Sequence, residues 1–405
     1  MVVTKNKPEN NCLASLMVAA IVLPGVVSEV SAAAPQEQEV GVELLYYHEH
    51  GDGIDVVSPV IYGQFSPTPK SNVEISAVFD SVSGASIWLS SDRTGKTAVD
   101  TTSGASTSST SDTRKALDLK YSHYLDDLTW ALGAGFSRED DYESKSVSME
   151  LKKSFNKQNT ELSLSIGYGA DEILIPNSSS DDDSDSDDDD DDDDDDGDSQ
   201  EESKNTFSML VGVTQLLSPV SLVQSNISFT NGSGYFADPY QQSLNPATDQ
   251  TIDDTRPSSR QQWAWLTRYN HFFPKWESSL HLDYRYYIDS WDISSHTLAI
   301  SWYQPLPNDW TLRPSLRYYN QSAASFFAET LPSTMVSGDF SMDQRLSSFG
   351  AISLGAKVVK KLSDNTRLTA RIENYRQSPD FTWSSGSNVD DWQATILALG
   401  LRYTF

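Results

Sequence analysis

The 405-residue chain has a single cysteine, Cys12, which lies in an apolar segment near its start. If export removes that segment, no cysteine remains, so disulfides and thiolate metal sites are excluded from the finished protein. Long apolar runs are scarce as well. Beyond residue 33 nothing approaches the roughly 18 consecutive apolar residues of a membrane-spanning helix. Basic residues are few, 29 against 58 acidic ones, and the net charge of −29 makes nucleic acid an unfavoured partner. The signatures of catalysis are missing too. Ser81, Ser83 and Ser86 in SVSGAS lack the flanks of a nucleophile elbow, and there is no helical histidine pair or phosphate-cradling glycine loop. No enzyme activity and no cofactor are expected.

The first segment has the parts of a secretory signal. Lys5 and Lys7 precede an apolar run over residues 12–27, and small residues follow at Val30, Ser31, Ala32 and Ala33. The alternative, one anchoring helix, suffers from the short run and from Pro24 within it. Residues 1–33 are therefore expected to be a signal peptide and 34–405 the exported domain. Its charge is uneven. Residues 181–202 hold 17 carboxylates, which leaves −12 for everything else. Such a tract repels itself and reads as a solvated loop over 171–204, with loose binding of divalent cations as a side possibility.

Beyond residue 40 the recurrent pattern is alternation, the mark of strands. In residues 279–288, Leu280, Leu282, Tyr284, Tyr286 and Ile288 share one face, opposite His281, Asp283, Arg285 and Tyr287. Leu162, Leu164, Ile166 and Tyr168 alternate with Glu161, Ser163, Ser165 and Gly167; Leu368, Ala370 and Ile372 alternate with Arg367, Thr369, Arg371 and Glu373. Sixteen strands are predicted, starting near residues 40, 55, 71, 114, 127, 143, 160, 205, 219, 260, 276, 293, 309, 345, 364 and 392. Tryptophans mark several ends: Trp130, Trp263, Trp276, Trp291, Trp310 and Trp392.

The connections are more telling than the strands. Every second one is short: SPTPK, LDD, NKQN, LSP, FPK, PNDW and LSDN. All the long inserts fall in the other set, at 81–113, 171–204, 231–259, 320–344 and 377–391. A transmembrane barrel predicts this one-sidedness, with short periplasmic turns and long outer loops. A soluble sandwich does not. The expected fold is thus all-β, a transmembrane antiparallel β-barrel of about 16 strands, since a closed sheet satisfies every backbone group in hydrocarbon. The chain finishes on ILALGLRYTF, where Leu397, Leu399, Leu401, Tyr403 and Phe405 share a face, as a last strand closing on the first would.

The apolar sets should meet membrane lipids and the charged sets the lumen, because an arginine at the bilayer midplane costs roughly 2–4 kcal/mol. That places Arg268, Arg285, Arg313, Arg317, Arg367, Arg371 and Arg402 inside, with Lys120 and Lys152, beside Asp118, Glu150, Glu161, Asp283 and Glu373. Two readings stay open. The arginines form an electropositive wall that guides polar or anionic solutes, or they pair with the carboxylates and brace a closed interior. His48 and His50 share a face near the outer rim without a third ligand, so no metal is assigned to them.

Four stretches carry a resemblance: YYHEHGDGIDVVSPVI near the start, DSVSGAS at 80–86, GYFADPY at 234–240 and RPSSR at 256–260. In this order they resemble the DUF3570 family of Gram-negative exported proteins. The resemblance implies an outer-membrane barrel without a settled substrate, and a genomic neighbourhood of a small lipoprotein, a thioredoxin-like protein and a flavin transferase. It also implies that the terminal aromatic is offered to the outer-membrane barrel assembly machinery. Ile87 stands where the family usually has proline, Gln241 where lysine is usual, and the Asp tract is an insert. Within these motifs Asp80 and Gly84 are expected to tighten the exit of the third strand. Asp238 and Pro239 read as a turn, leaving Tyr235, Phe236 and Tyr240 to pack on the barrel mouth. A rival to passage of solutes is a non-conducting barrel whose loops or periplasmic face engage a partner.

Overall fold

In a computed structural model, the structure describes residues 38–51, 53–85, 109–175, 200–239, 242–245, 250–329, 338–383 and 385–405. The predicted signal peptide, most of the Asp tract, Ile87, Tyr240 and Gln241 lie outside these residues. The strands are β1 (Glu39–Glu49), β2 (Ile54–Thr68), β3 (Ser71–Ala85), β4 (Ser109–Tyr124), β5 (Leu128–Arg138), β6 (Tyr142–Phe155), β7 (Thr160–Ile175), β8 (Gln200–Ser218) and β9 (Ser221–Gly234). After a short pair, β10 (Gln242–Asn245) and β11 (Gln250–Asp253), come β12 (Ser259–Phe273), β13 (Ser278–Asp289), β14 (Ser294–Leu306), β15 (Trp310–Gln321), β16 (Phe349–Lys361), β17 (Thr366–Ser378) and β18 (Trp392–Thr404).

All strands except β10 and β11 form one closed antiparallel barrel, sixteen strands in number. Neighbours in sequence pair throughout, β9 pairs directly with β12, and β18 returns to β1 with Glu39 opposite Thr404. The closure leaves no edge, and the last strand ends at the rim where the first begins. All seven short connections lie at that same rim. Their tight geometry is visible in the PNDW turn, where Leu306 pairs with Trp310 and Asn308 and Asp309 between them are left-handed, with φ of 61° and 60°.

The long loops are shorter than the sequence pattern suggested. The 171–204 insert begins after Ile175 and ends before Gln200, because Asp171 and Lys204 stay in register across β7 and β8 and form an ion pair at 3.0 Å. The 81–113 insert likewise loses its ends to β3 and β4, and 231–259 holds the β10–β11 hairpin. β16 starts at Phe349 instead of near 345. Gln344–Leu346 is a single 3-10 turn capped by the Asp343 side chain, which accepts from the Arg345 N–H.

The two faces of the sheet follow the alternation. Leu298, Leu316, Leu354, Ile372, Leu397 and Leu399 are exposed on the outside. This band suits hydrocarbon, not water. Aromatic groups bound it. Near the periplasmic rim Phe273, Trp276 and Trp302 lie with centroids 5.4–6.1 Å apart. Toward the outer rim Trp383 packs on His296 at 4.9 Å and on Tyr318 at 5.6 Å. Two of the marker tryptophans depart from this. Trp291 is buried in a cluster at the outer mouth with Ile293, Ala324 and Leu346, and Trp392 packs against Tyr47 and Tyr375. The inner face is not uniformly polar either: Leu45, Tyr47, Ile54, Val56 and Ile396 of β1, β2 and β18 form a buried apolar strip there.

Candidate functional site: the lumenal wall and the outer mouth

The inner face divides into two sectors. On β5–β8 it is built from small residues. A Cβ added at Gly133 would meet Ser148 Oγ at 2.4 Å, and one at Gly167 would meet Ser208 Oγ at 2.7 Å, so these strands carry little bulk into the lumen. The cations of this side are paired. Lys120 and Lys152 both hold Glu150, at 3.0 and 2.7 Å. Asp80 belongs here, within β3 instead of at its exit: its carboxylate is 1% exposed and accepts from Arg114 at 2.7 Å, with Glu139 4.0 Å from Arg114. Gly84 also lies inside β3, opposite Ile54 and Thr110, so it serves the ladder and makes no turn.

The other sector, β12–β18, carries every arginine proposed from the sequence. Alternation points all seven inward, and their positions along the strands spread them over the depth of the wall. Arg285 is nearest the outer end, Arg317 and Arg268 lie below it, Arg313 and Arg371 lower still, and Arg367 and Arg402 stand opposite each other at the periplasmic rim. Three are paired. Arg268 grips Asp283 with two hydrogen bonds of 2.8 and 3.0 Å, Arg371 pairs with Glu373, and Arg402 reaches Tyr62 Oη at 3.0 Å and Glu39 at 3.4 Å.

Arg285, Arg313 and Arg317 differ. Among the described residues none has a carboxylate within 4.0 Å. Each lies instead over a tyrosine of its own wall: Arg285 on Tyr287 at 5.3 Å, Arg313 on Tyr303 at 4.6 Å and Arg317 on Tyr319 at 6.0 Å. The ring face holds a guanidinium in place without neutralising it. Its five donors then remain available for an oxyanion, which it can grip through two parallel hydrogen bonds. His281 belongs to the same wall, with its ring 4.3 Å from Tyr303. Pairing therefore describes β3–β8 and three of the arginines, while Arg285, Arg313, Arg317 and Arg367 have no carboxylate within 4.0 Å among the described residues.

The outer mouth adds a second cluster. The loop after β9 contributes Asp238, Asp254 and Arg256, and the loop after β15 contributes Asp343 and Arg345. Arg345 donates to Asp238 at 2.8 Å and also pairs with Asp343 at 2.6 Å; Arg256 joins Asp254 at 2.6 Å to Asp343 at 3.0 Å. Burial alone would raise the Asp343 carboxyl, but Arg345, with Arg256 behind it, outweighs burial and holds it below the usual carboxylate range. Asp254 goes the other way, since burial there exceeds the pull of Arg256. Burial, helped by Asp238 and Asp254, pushes the Tyr235 phenol up to about 12.

Pro239 stands in a turn, as read from the sequence. Phe236 packs edge-on against Trp291 at 5.6 Å, while Gly234 has φ +122° and no room for a Cβ against Ser203 O. Gln321 at the outer end of β15 donates to the Arg345 and Ser347 carbonyls, at 2.9 and 2.7 Å, so the second loop is fastened to the barrel wall. Sequence reasoning missed Asp254, Asp343, Arg345 and Lys357. Loop-to-loop pairing has no period to reveal it. Lys357 did carry a signal, in the alternation of Lys357, Val359 and Lys361.

His48 and His50 turn away from the lumen. His48 Nδ1 lies 2.8 Å from Asp55 and His50 Nε2 lies 2.9 Å from Thr395 Oγ1, and no group of metal-binding side chains is found among the described residues.

A sixteen-stranded closed sheet with an apolar, aromatic-bounded exterior and a polar, charged interior defines an outer-membrane β-barrel. The chain belongs to the DUF3570 family, described as a protein of unknown function, which it matches over residues 13–394. No curated protein matches it. Among solved structures, it is similar to a bacterial polysaccharide outer-membrane secretin, with 7% identity and a TM-score of 0.50, over 91% of this chain and 98% of that one. CdiB from Acinetobacter baumannii follows with 9% identity and a TM-score of 0.49, over 91% of this chain and 60% of its own length. OccK2 from Pseudomonas aeruginosa, in complex with glucuronate, has 10% identity and a TM-score of 0.40, over 91% and 98%. At such identities the likeness is one of fold.

Proposed function

We propose that this barrel passes small polar or anionic solutes across the outer membrane, with the lumenal arginines setting the preference for negative charge. The observation that carries the reading is the set of three guanidiniums, Arg285, Arg313 and Arg317, held over tyrosines with no carboxylate within reach among the described residues. Low-dielectric walls focus the field of such charges and raise the local concentration of anions. Spreading them over several depths lets a solute enter by favourable contacts and leave by weak ones. The small-residue sector of β5–β8 supports the same reading, because it leaves space opposite the cationic wall. Single-channel recording in planar bilayers tests it. Discrete openings above the background of empty bilayers are expected, and a correctly folded barrel that stays silent would refute passage.

The loop cluster at the mouth favours one other reading, a non-conducting barrel whose fastened outer loops present a binding surface. Silence in bilayers together with an intact fold would support it.

A further inference from the structure

The lumen carries two unbalanced walls of opposite sign. On the cationic side Asp283 is taken by Arg268, Glu373 by Arg371 and Glu39 by Arg402, and Glu43 acts on both Lys357 and Arg402. Arg285, Arg313 and Arg317 keep no carboxylate within 4.0 Å among the described residues. On β3–β6 the surplus is reversed. Lys120 and Lys152 share Glu150, and Arg114 serves Asp80 and Glu139. Glu74 and Asp118 point inward, beside lipid-facing Ile75, Leu117 and Leu119, and have no cation within 4.0 Å among the described residues. Glu74 accepts one hydrogen bond, from Asn72 Nδ2 at 3.1 Å. Asp118 is exposed, in the clearing beside Gly135, where an added Cβ would lie 2.8 Å from its Oδ1. Lys120 also acts on Glu74 and Arg114 on Asp118. Even so, the five carboxylates Glu74, Asp80, Asp118, Glu139 and Glu150 share the three cations Arg114, Lys120 and Lys152.

The topology sets these walls face to face. In the ring of sixteen, β3 and β13 are eight strands apart by either route, and β4 is seven from β15 by the shorter. Their depths match as well. Glu74 and Arg313 each stand three residues in from the periplasmic ends of their strands, Ser71 and Trp310, and Asp118 and Arg317 stand six and seven from Tyr124 and Trp310.

We propose that the lumen favours zwitterions, small solutes such as amino acids, with the carboxylate turned to Arg285, Arg313 and Arg317 and the ammonium to Glu74 and Asp118. A solute without net charge gains little from one charged wall. Two walls of opposite sign make a field across the lumen that acts on its dipole, and low-dielectric walls strengthen that field. The guanidinium forks suit the carboxylate end. The three arginines outnumber the two carboxylates, so a preference for anions is kept. The proposal rests on the reading of the barrel as a passage, and it names a class of solute.

The test is osmotic swelling of vesicles holding the whole barrel, in β-alanine and in lactamide, isomers of which only the first is a zwitterion. β-Alanine should enter at least about threefold faster, a smaller gain than the tenfold or more that such walls give a net charge. Asp118→Asn with Glu74→Gln should bring the ratio of the two rates to about one and raise the preference for chloride over potassium. Arg313→Gln with Arg317→Gln should lower the ratio as well, but reduce the chloride preference. A merely structural effect of either pair would not combine a lost ratio with opposite changes in ion preference. Should the acidic double variant not fold, judged by its mobility on unheated gels, Asp118→Asn alone replaces it, with a smaller fall in the ratio. Equal rates in the wild type, or an unchanged ratio in the acidic variant, would overturn the proposal and leave passage standing, since lactamide still enters. Swelling with neither probe would overturn both.

Discussion

Arg345 donates through Nη2 to Asp238 Oδ2 at 2.8 Å across 107 residues of sequence, joining the loop after β15 to the loop after β9. The contact is the outermost link of a cluster whose Asp343 and Asp254 carboxylates are buried. Removing Asp238 leaves Arg345 paired with Asp343 alone of these two carboxylates, at 2.6 Å. Because the guanidinium keeps that partner, the cost falls below the about 3–5 kcal/mol of an orphaned buried charge. Asp238→Asn should therefore speed hydrogen exchange at 338–348 while leaving β12–β15 protected. Unchanged exchange in that loop would contradict the account.

Acid should act on the same cluster within a narrow window. Asp343 has a depressed value in the folded protein, so its contribution is present above its unfolded value of about 3.9 and is lost as pH falls through the folded one. Asp254 is raised, so the folded loop gains from its protonation as pH falls, and this opposes the loss. Limited proteolysis of the outer loops should be unchanged from neutrality to about pH 5 and rise only below about pH 4. In Asp254→Asn the opposing gain is gone, and the acid-induced rise should be larger. Opening near pH 6 would count against this assignment.

Much of the barrel was legible because period-two alternation and turn residues are local signals. Leu280 to Ile288 and Leu397 to Phe405 each declare a face, and PNDW declares a tight turn that the left-handed Asn308 and Asp309 then make. The seven arginines were found for the same reason, since alternation decides which face an arginine takes. Which of them is paired was not legible, because Arg268 meets Asp283 across a strand boundary whose register no local pattern supplies. Trp291 and Trp392 were read only as strand-end markers. The packing of Trp291 depends on loop residues such as Ala324 and Leu346, and that of Trp392 on Tyr47 and Tyr375 of the two strands that flank β18.

The division of faces predicts an asymmetric response to added charge. Leu399 is 59% exposed on the lipid side near the middle of β18, and Leu399→Arg should destabilise the barrel by about 2–4 kcal/mol. Ser165 points into the lumen opposite Glu150, and Ser165→Arg should change stability by less than about 1 kcal/mol. Urea unfolding in lipid vesicles measures both. Equal costs at the two positions would contradict the assignment of faces.

Asp80 is the deepest carboxylate of the paired sector, with Arg114 only 14% exposed beside it. Asp80→Ala should cost about 3 kcal/mol, because it leaves a buried guanidinium with no carboxylate closer than Glu139 at 4.0 Å. The same unfolding measurement checks this. A loss below about 1 kcal/mol would show that water reaches the pair and screens it.

The central claim is that unpaired arginines make the lumen selective for anions. The direct measurement is the reversal potential across a planar bilayer under a potassium chloride gradient, for the wild-type barrel and for Arg313→Glu with Arg317→Glu. The wild type should favour chloride, and the double variant should shift the reversal potential toward potassium. An unshifted potential in a variant that still conducts would contradict it.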